Sequence, residues 1–208
     1  MDREELKKKI EILAQFPYKE RSKPYQSYYL DGEYMPGTRD TLYRYNIMQI
    51  SQDMSGMSVL DLGSQLGSMS IEAYRRGARN ILGIEYQREY IECAKTLAEY
   101  NRFEIDFVYG NLMMPIDVVK YINNYFKVGI DIVFALSLTK HIGVYNLYWL
   151  LKNIDFRICY LEGHNCNRDL NTAHCQDMFK NLVKHFKHDF IGFSEDRSIR
   201  PIWRLYEI

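Results

Sequence analysis

The chain has 208 residues, 47% hydrophobic and 26% charged, with Lys plus Arg and Asp plus Glu balanced at 27 each. That length suits one domain with a real core and is short for two, so the expectation is a single domain over 1–208, with 1–54 as an N-terminal extension and 55–208 as the core. The even charge argues against a whole-molecule field for nucleic acid, and no apolar run reaches the length of a membrane span.

Residues 2–15 place Leu6, Ile10, Leu13 and Ala14 at helical spacing, with Lys7, Lys8, Lys9 and Glu11 on the opposite face, which predicts an amphipathic helix with a solvated basic side. This charged start lacks the apolar core of a signal peptide, so a cytoplasmic location is expected. Four cysteines without a C-x-x-C pair then read as reduced thiols. From 16 to 38 the periodicity breaks among Pro17, Pro24, Pro36, Gly32 and Gly37, interleaved with Tyr18, Tyr25, Tyr28, Tyr29 and Tyr34. A connection this long and aromatic predicts a long ordered loop or a lid. Thr38 is placed to cap a helix running to about Asp53, with Leu42, Tyr45 and Met48 or Gln49 facing inward.

Residues 57–85, MSVLDLGSQLGSMSIEAYRRGARNILGIE, read as strand, tight loop, helix, strand. A strand end that meets a glycine loop and a helix amino terminus allows close backbone approach and leaves N–H donors free. Glu85, at the tip of the second strand, can accept the hydroxyls of a ribose. The dinucleotide fingerprint needs glycine at two further positions counted from Gly63, where this chain has Gln65 and Ser68, so a nicotinamide dinucleotide fits poorly. The stretch resembles motif I of the class I S-adenosylmethionine-dependent methyltransferases, D/E-x-G-x-G-x-G, with Asp61, Gly63 and Gly67 matching and Gln65 replacing the central glycine.

The later elements follow in the order that this resemblance implies. Residues 86–101 have the period of a helix, with Tyr86, Tyr90, Cys93 or Ala94, and Leu97 or Ala98 in register; 104–112 give a third strand ending at Gly110 and Asn111; Pro115 opens a helix to about Tyr121. Ile130, Ile132, Val133 and Phe134 form the near-continuous apolar run of a strand buried on both faces. A helix over 145–153, a fifth strand over 156–164, and a helix over 169–186 with Cys175, Phe179, Leu182 and Phe186 in register come next. Two final strands, 188–196 and 200–208, have no room for a helix between them and must pair antiparallel. The fold expected from the resemblance is α/β and Rossmann-like, a seven-stranded, mostly parallel sheet of order 3-2-1-4-5-7-6 with helices on both faces and a helical and lid extension in front.

In such a sheet ligands sit beyond the carboxyl ends of the strands, at the switch point. The resemblance implies S-adenosyl-L-methionine as cofactor, contacted by Asp61, Gly63, Ser64, Gln65 and Gly67 in the loop, by Glu85 and Tyr86 after the second strand, by Asn111 and Leu112 after the third, and by Ser137 after the fourth. His141, on the reacting side and of a residue type that titrates near neutrality, is the candidate general base, beside the plainer reading of a loop histidine. Cys159, His164, Cys166, His174 and Cys175 match no established zinc spacing, and no metal is expected. The acceptor is expected to be an O or N nucleophile of a small molecule or sugar, with RNA as the alternative and a non-catalytic binding module as a second. No membrane partner is expected, and the sequence leaves the oligomeric state open.

Overall fold

The computed structural model describes residues 2–15, 24–196 and 198–207, so the first part of the expected lid, 16–23 with Pro17 and Tyr18, lies outside the described residues. Seven strands, β3 (Val59–Leu62), β4 (Ile81–Glu85), β5 (Asp106–Tyr109), β6 (Ile130–Leu136), β7 (Phe156–Glu162), β8 (Lys187–Ser194) and β9 (Arg200–Tyr206), form one sheet. Its order is β5-β4-β3-β6-β7-β9-β8. Counted within the sheet this is 3-2-1-4-5-7-6; the labels run two higher because a short hairpin of β1 (Tyr28–Leu30) and β2 (Glu33–Met35) precedes it. The first five strands pair in parallel, and β9 runs antiparallel to both β7 and β8.

The period-2 alternation of the strands divides the core into two layers. On β3, Leu60 and Leu62 enter a cluster with Leu82, Ile84, Val133 and the inward faces of α5 (Pro115–Tyr125), α7 (Val144–Lys152) and α8 (Ala173–Asn181), while Val59 joins Ile81, Ile132, Phe134 and Tyr45 on the other side. That second side is covered by α2 (Thr41–Ile47) and α3 (Ser68–Arg75). Farther along it, α1 (Arg3–Gln15) and α4 (Arg88–Tyr100) pack around Leu6, Ile10, Cys93 and Leu97. A single turn, α6 (Thr139–Ile142), follows β6.

Three local expectations are corrected. The described part of the lid, 24–38, is mostly scaffold. Asp31 and Gly32, at φ 53° and 80°, make a tight hairpin turn, and Tyr28, Tyr29 and Leu30 are buried against α1 and α4. The lead-in helix starts later and ends earlier than the expected 38–53. Asp40, not Thr38, is its cap, accepting from the Tyr43 N–H at 2.8 Å, because Thr38 and Arg39 pair their backbones with Pro24 and Tyr25. Its other end is closed by Gln49 in the left-handed region, and Leu42 is 39% exposed while Thr41, Arg44 and Tyr45 face inward. The helix expected over 169–186 is confined to α8, with Thr172 as cap and a 3-10 turn at Val183–His185. Met178 rather than Phe179 is the inward residue.

Candidate functional site

A cavity of about 870 Å3 lies across the carboxyl ends of β3, β4, β5 and β6, within the range of small-ligand pockets. Its walls include Asp61, Gly63, Gln65, Glu85, Tyr86, Asn111, Leu112, Ser137 and His141, all expected from the sequence. Ser64 and Gly67 are not among the lining residues. Ser64 is buried, and its Oγ lies so near β4 that a Cβ on Gly83 would come within 2.9 Å of it. Gly67 packs on Phe107, whose ring a Cβ would meet at 2.3 Å, and it has φ 74° as the cap of α3. This glycine is required by the core rather than by ligand approach.

The loop after β3 is set by its own backbone. Gln65 has φ 52°, the left-handed conformation for which glycine is the usual choice, and its N–H donates to Glu85 Oε2 at 3.0 Å. The other oxygen of Glu85 accepts from the N–H groups of Tyr86 and Gln87 at 2.7 and 2.9 Å. A carboxylate has about four lone-pair sites, so Glu85 fastens both loops and keeps acceptor capacity for a hydroxyl. Asp61 is buried and accepts from Ser70 Oγ at 2.8 Å; burial pushes its carboxyl up to about 6, with the Ser70 hydrogen bond and Arg44 opposing. Asn111 Oδ1 accepts from Met113 N–H at 3.0 Å, which leaves one lone pair of the amide oxygen. Tyr86, 58% exposed, lies 5.7 Å from the Tyr109 ring at the cavity mouth.

The opposite end is cationic. Arg44, Lys140 and Arg200 line it with Tyr25, Gln26 and His164. Behind it lies Glu162, fully buried and outside the lining, which accepts from Arg39, from Arg44 at 3.0 Å, from Ser137 Oγ, and from Ser194 Oγ at 2.6 Å. Burial alone would raise this carboxyl, but Arg44, Arg39 and Arg200 outweigh it and hold it well below the usual carboxylate range. Ser137, at φ 60°, is strained into place where it joins Glu162 to Arg200. His164 Nε2 accepts from the Lys140 N–H at 3.1 Å, and burial together with Arg200 pushes it down to about 3, so it stays neutral. His141 is exposed on the cavity wall, with its ring 5.7 Å from that of His164. The sequence reading missed Arg200 and Gln26 as cavity residues, since each is brought there by tertiary contacts; the one local signal was a charged residue at the start of an apolar strand.

The cavity suits a nucleoside cofactor with an amino-acid tail. It offers a hydroxyl acceptor in Glu85, an amide at Asn111, and three buried polar atoms without hydrogen-bond partners, Gln65 Oε1, Gln26 Oε1 and Arg44 Nε. Buried polar groups are rarely left so. Among the described residues no group of three or more His, Cys, Asp or Glu is placed to hold a metal, and no helix is long and apolar enough to cross a membrane.

No family model matches the chain. A segment of 62 residues, 30% of the chain, is 39% identical to a ribosomal protein L11 methyltransferase of Dictyoglomus thermophilum and covers 21% of that protein. The chain thus spans about a fifth of the length of the curated relatives it matches. Among solved structures, the bifunctional kinase-methyltransferase WbdD superposes with a TM-score of 0.67 at 22% identity, over 90% of this chain and 44% of that one. The N-terminal domain of EvdMO1, crystallised in the presence of SAH and D-fucose, superposes with a TM-score of 0.59 at 14% identity, over all of this chain and 97% of that domain.

Proposed function

We propose that this chain, which has the class I methyltransferase fold, transfers a methyl group from S-adenosylmethionine to an O or N nucleophile of a small molecule or sugar. The observation that carries the reading is the one cavity across four parallel strand ends, with Glu85 and Asn111 at one end and His141 at the other. Glu85 takes a ribose hydroxyl on its remaining lone pair, and Asn111 takes the adenine amino group. Asp61, Gly63 and Gln65 line the amino-acid portion, Tyr86 and Leu112 flank the base, and Ser137 fixes the wall between cofactor and acceptor. When bound, the cofactor supplies an electrophilic methyl group on a sulfonium. The protein's own part is to align the acceptor, exclude water and accept its proton. His141 takes that proton, because His164 is held neutral with its Nε2 already occupied.

The cationic end, built on the buried Arg44 and Arg200, supports a small charged acceptor over a polymer, and the domain likeness to EvdMO1 supports a sugar. The even charge of the chain weighs against RNA. His141→Asn should lower turnover by about a hundredfold or more, the usual scale for a lost general base. It should leave affinity for S-adenosylhomocysteine within about threefold, less than a single hydrogen bond contributes. Calorimetric titration and single-turnover rates check both, and a variant as fast as wild type would return His141 to an ordinary loop residue.

A further inference from the structure

The cationic end holds more positive charge than its own carboxylates offset. Arg39, Arg44 and Arg200 are each at most 8% exposed and face Glu162 and Asp196. The four acceptor sites of Glu162 are filled by Arg39, Arg44, Ser137 and Ser194. Asp196 is taken by Arg39 and by the Asp40 N–H. Arg44 has Asp61 as a second electrostatic neighbour toward the loop after β3. Arg200 is left with hydroxyls: its Nε donates to Ser198 Oγ at 2.8 Å, one terminal nitrogen reaches Ser137 Oγ and, at 3.5 Å, the Tyr25 hydroxyl, and the nearest carboxylate oxygen, of Glu162, is 3.6 Å away. Among the described residues no hydrogen-bonded carboxylate belongs to it. Lys140, exposed on the same wall, adds a second cation.

A buried guanidinium without a hydrogen-bonded anion is costly to keep. Its planar fork matches the paired oxygens of a carboxylate or phosphate. Arg200 opens β9, three strands across the sheet from β3, roughly 14 Å at the usual strand spacing, and its guanidinium reaches the cavity beside Ser137. On the methyltransferase reading above, we propose that the acceptor carries an anionic oxo group, a carboxylate or a phosphate, bound by Arg200 with Lys140 at the rim.

The test uses the full chain saturated with S-adenosylhomocysteine, so that the cofactor's own carboxylate is already in place. D-glucuronate, D-glucose 6-phosphate and D-glucose are titrated calorimetrically. Either charged sugar should bind at least about tenfold more tightly than glucose, the scale of one charge-assisted contact, and the better of the two tells carboxylate from phosphate. Arg200→Gln should erase that preference, Arg200→Lys should keep part of it, and S-adenosylhomocysteine affinity should change by less than about threefold, under a single hydrogen bond. Equal binding of glucose, no heat with either charged sugar up to about 10 mM, beyond a millimolar site, or a preference that survives Arg200→Gln would overturn the proposal. So would a loss confined to S-adenosylhomocysteine affinity, which would assign Arg200 to the cofactor. Melting curves control for folding, and Lys140→Gln, on an exposed side chain, repeats the measurement with the buried network intact; it should weaken the charged sugar and spare glucose. Failure of the wild type to bind S-adenosylhomocysteine would instead remove the methyltransferase reading, while titration with inorganic phosphate alone would still test the anion site.

Discussion

Gln65 occupies a left-handed position that glycine would fill without cost, and the structure compensates by tying its N–H to Glu85. Glu85 therefore has two tasks, holding three backbone N–H groups and leaving a lone pair for a hydroxyl. Glu85→Ala should weaken S-adenosylhomocysteine binding by about 1.5 to 3 kcal/mol, and Glu85→Gln by less, because the amide oxygen keeps part of the acceptor set; unchanged calorimetric affinity would place the ribose contact elsewhere. Asp61 shows the opposite economy. Its folded value of about 6 lies above the ordinary 3.8, so its contribution to stability is complete below about pH 4 and is lost as pH rises through 6. The rise from 3.8 to about 6 corresponds to about 3 kcal/mol at most. Asp61→Asn still accepts from Ser70 but cannot ionise. Without ligand it should melt above wild type at pH 8, by about 2 to 4 °C per kcal/mol, with the gap closing toward pH 4, while binding the cofactor more weakly. A variant that melts lower at pH 8 would mean that the ionised carboxylate is stabilising.

At the scale of elements, the legible parts were those whose signal is local and periodic. The strand-loop-helix-strand of 57–85 and the two-face burial of β6 stand where the apolar runs put them. Boundaries decided by competing caps were not legible: Asp40 displaces Thr38 because a parallel bridge between Gln26 and Arg39 draws Thr38 out of the helix. The hairpin had a readable Asp31-Gly32 turn signal, masked by the number of tyrosines, which suggested a lid. Its burial changes the expectation for exchange. Amides of β1 should be protected without ligand, since Tyr28, Tyr29 and Leu30 pack with Leu6 and Ile10. Added protection on binding cofactor and acceptor together should fall on 25–26, 137–138 and 140–141, which line the cavity. Hydrogen exchange by mass spectrometry checks this, and a hairpin that exchanges freely until ligand is added would restore the lid.

Across the whole molecule, the cavity floor was the least legible part, because it is assembled from residues more than a hundred positions apart. Glu162 meets Arg39 at a separation of 123 and Arg44 at 118, and Arg39 reaches Asp196 at 157. No period or short motif encodes such a cluster. It joins the segment before the sheet to β7 and to the connection between β8 and β9, and so ties the extension to the core at the point where the acceptor is proposed to bind. Removing one member of a buried ionic cluster leaves the others without their counter-charge, which typically costs about 3 to 5 kcal/mol. Glu162→Gln removes the anion that three arginines share, and it should lower the melting temperature strongly at pH 7. The sign of the pH dependence follows from the depressed carboxyl. Its contribution is fully present above the ordinary value of 4.5 and declines as pH falls toward the folded value. Asp196, which burial raises against the pull of Arg39, works in the opposite direction but is present in both proteins, so it largely cancels in the difference. The gap in melting temperature between wild type and Glu162→Gln should therefore be widest near neutrality and shrink on acidification below about pH 4.5. A gap that stays constant down to the acid transition would mean that the variant loses shape and hydrogen bonding alone, and that the charge on Glu162 does not hold the two ends of the chain together.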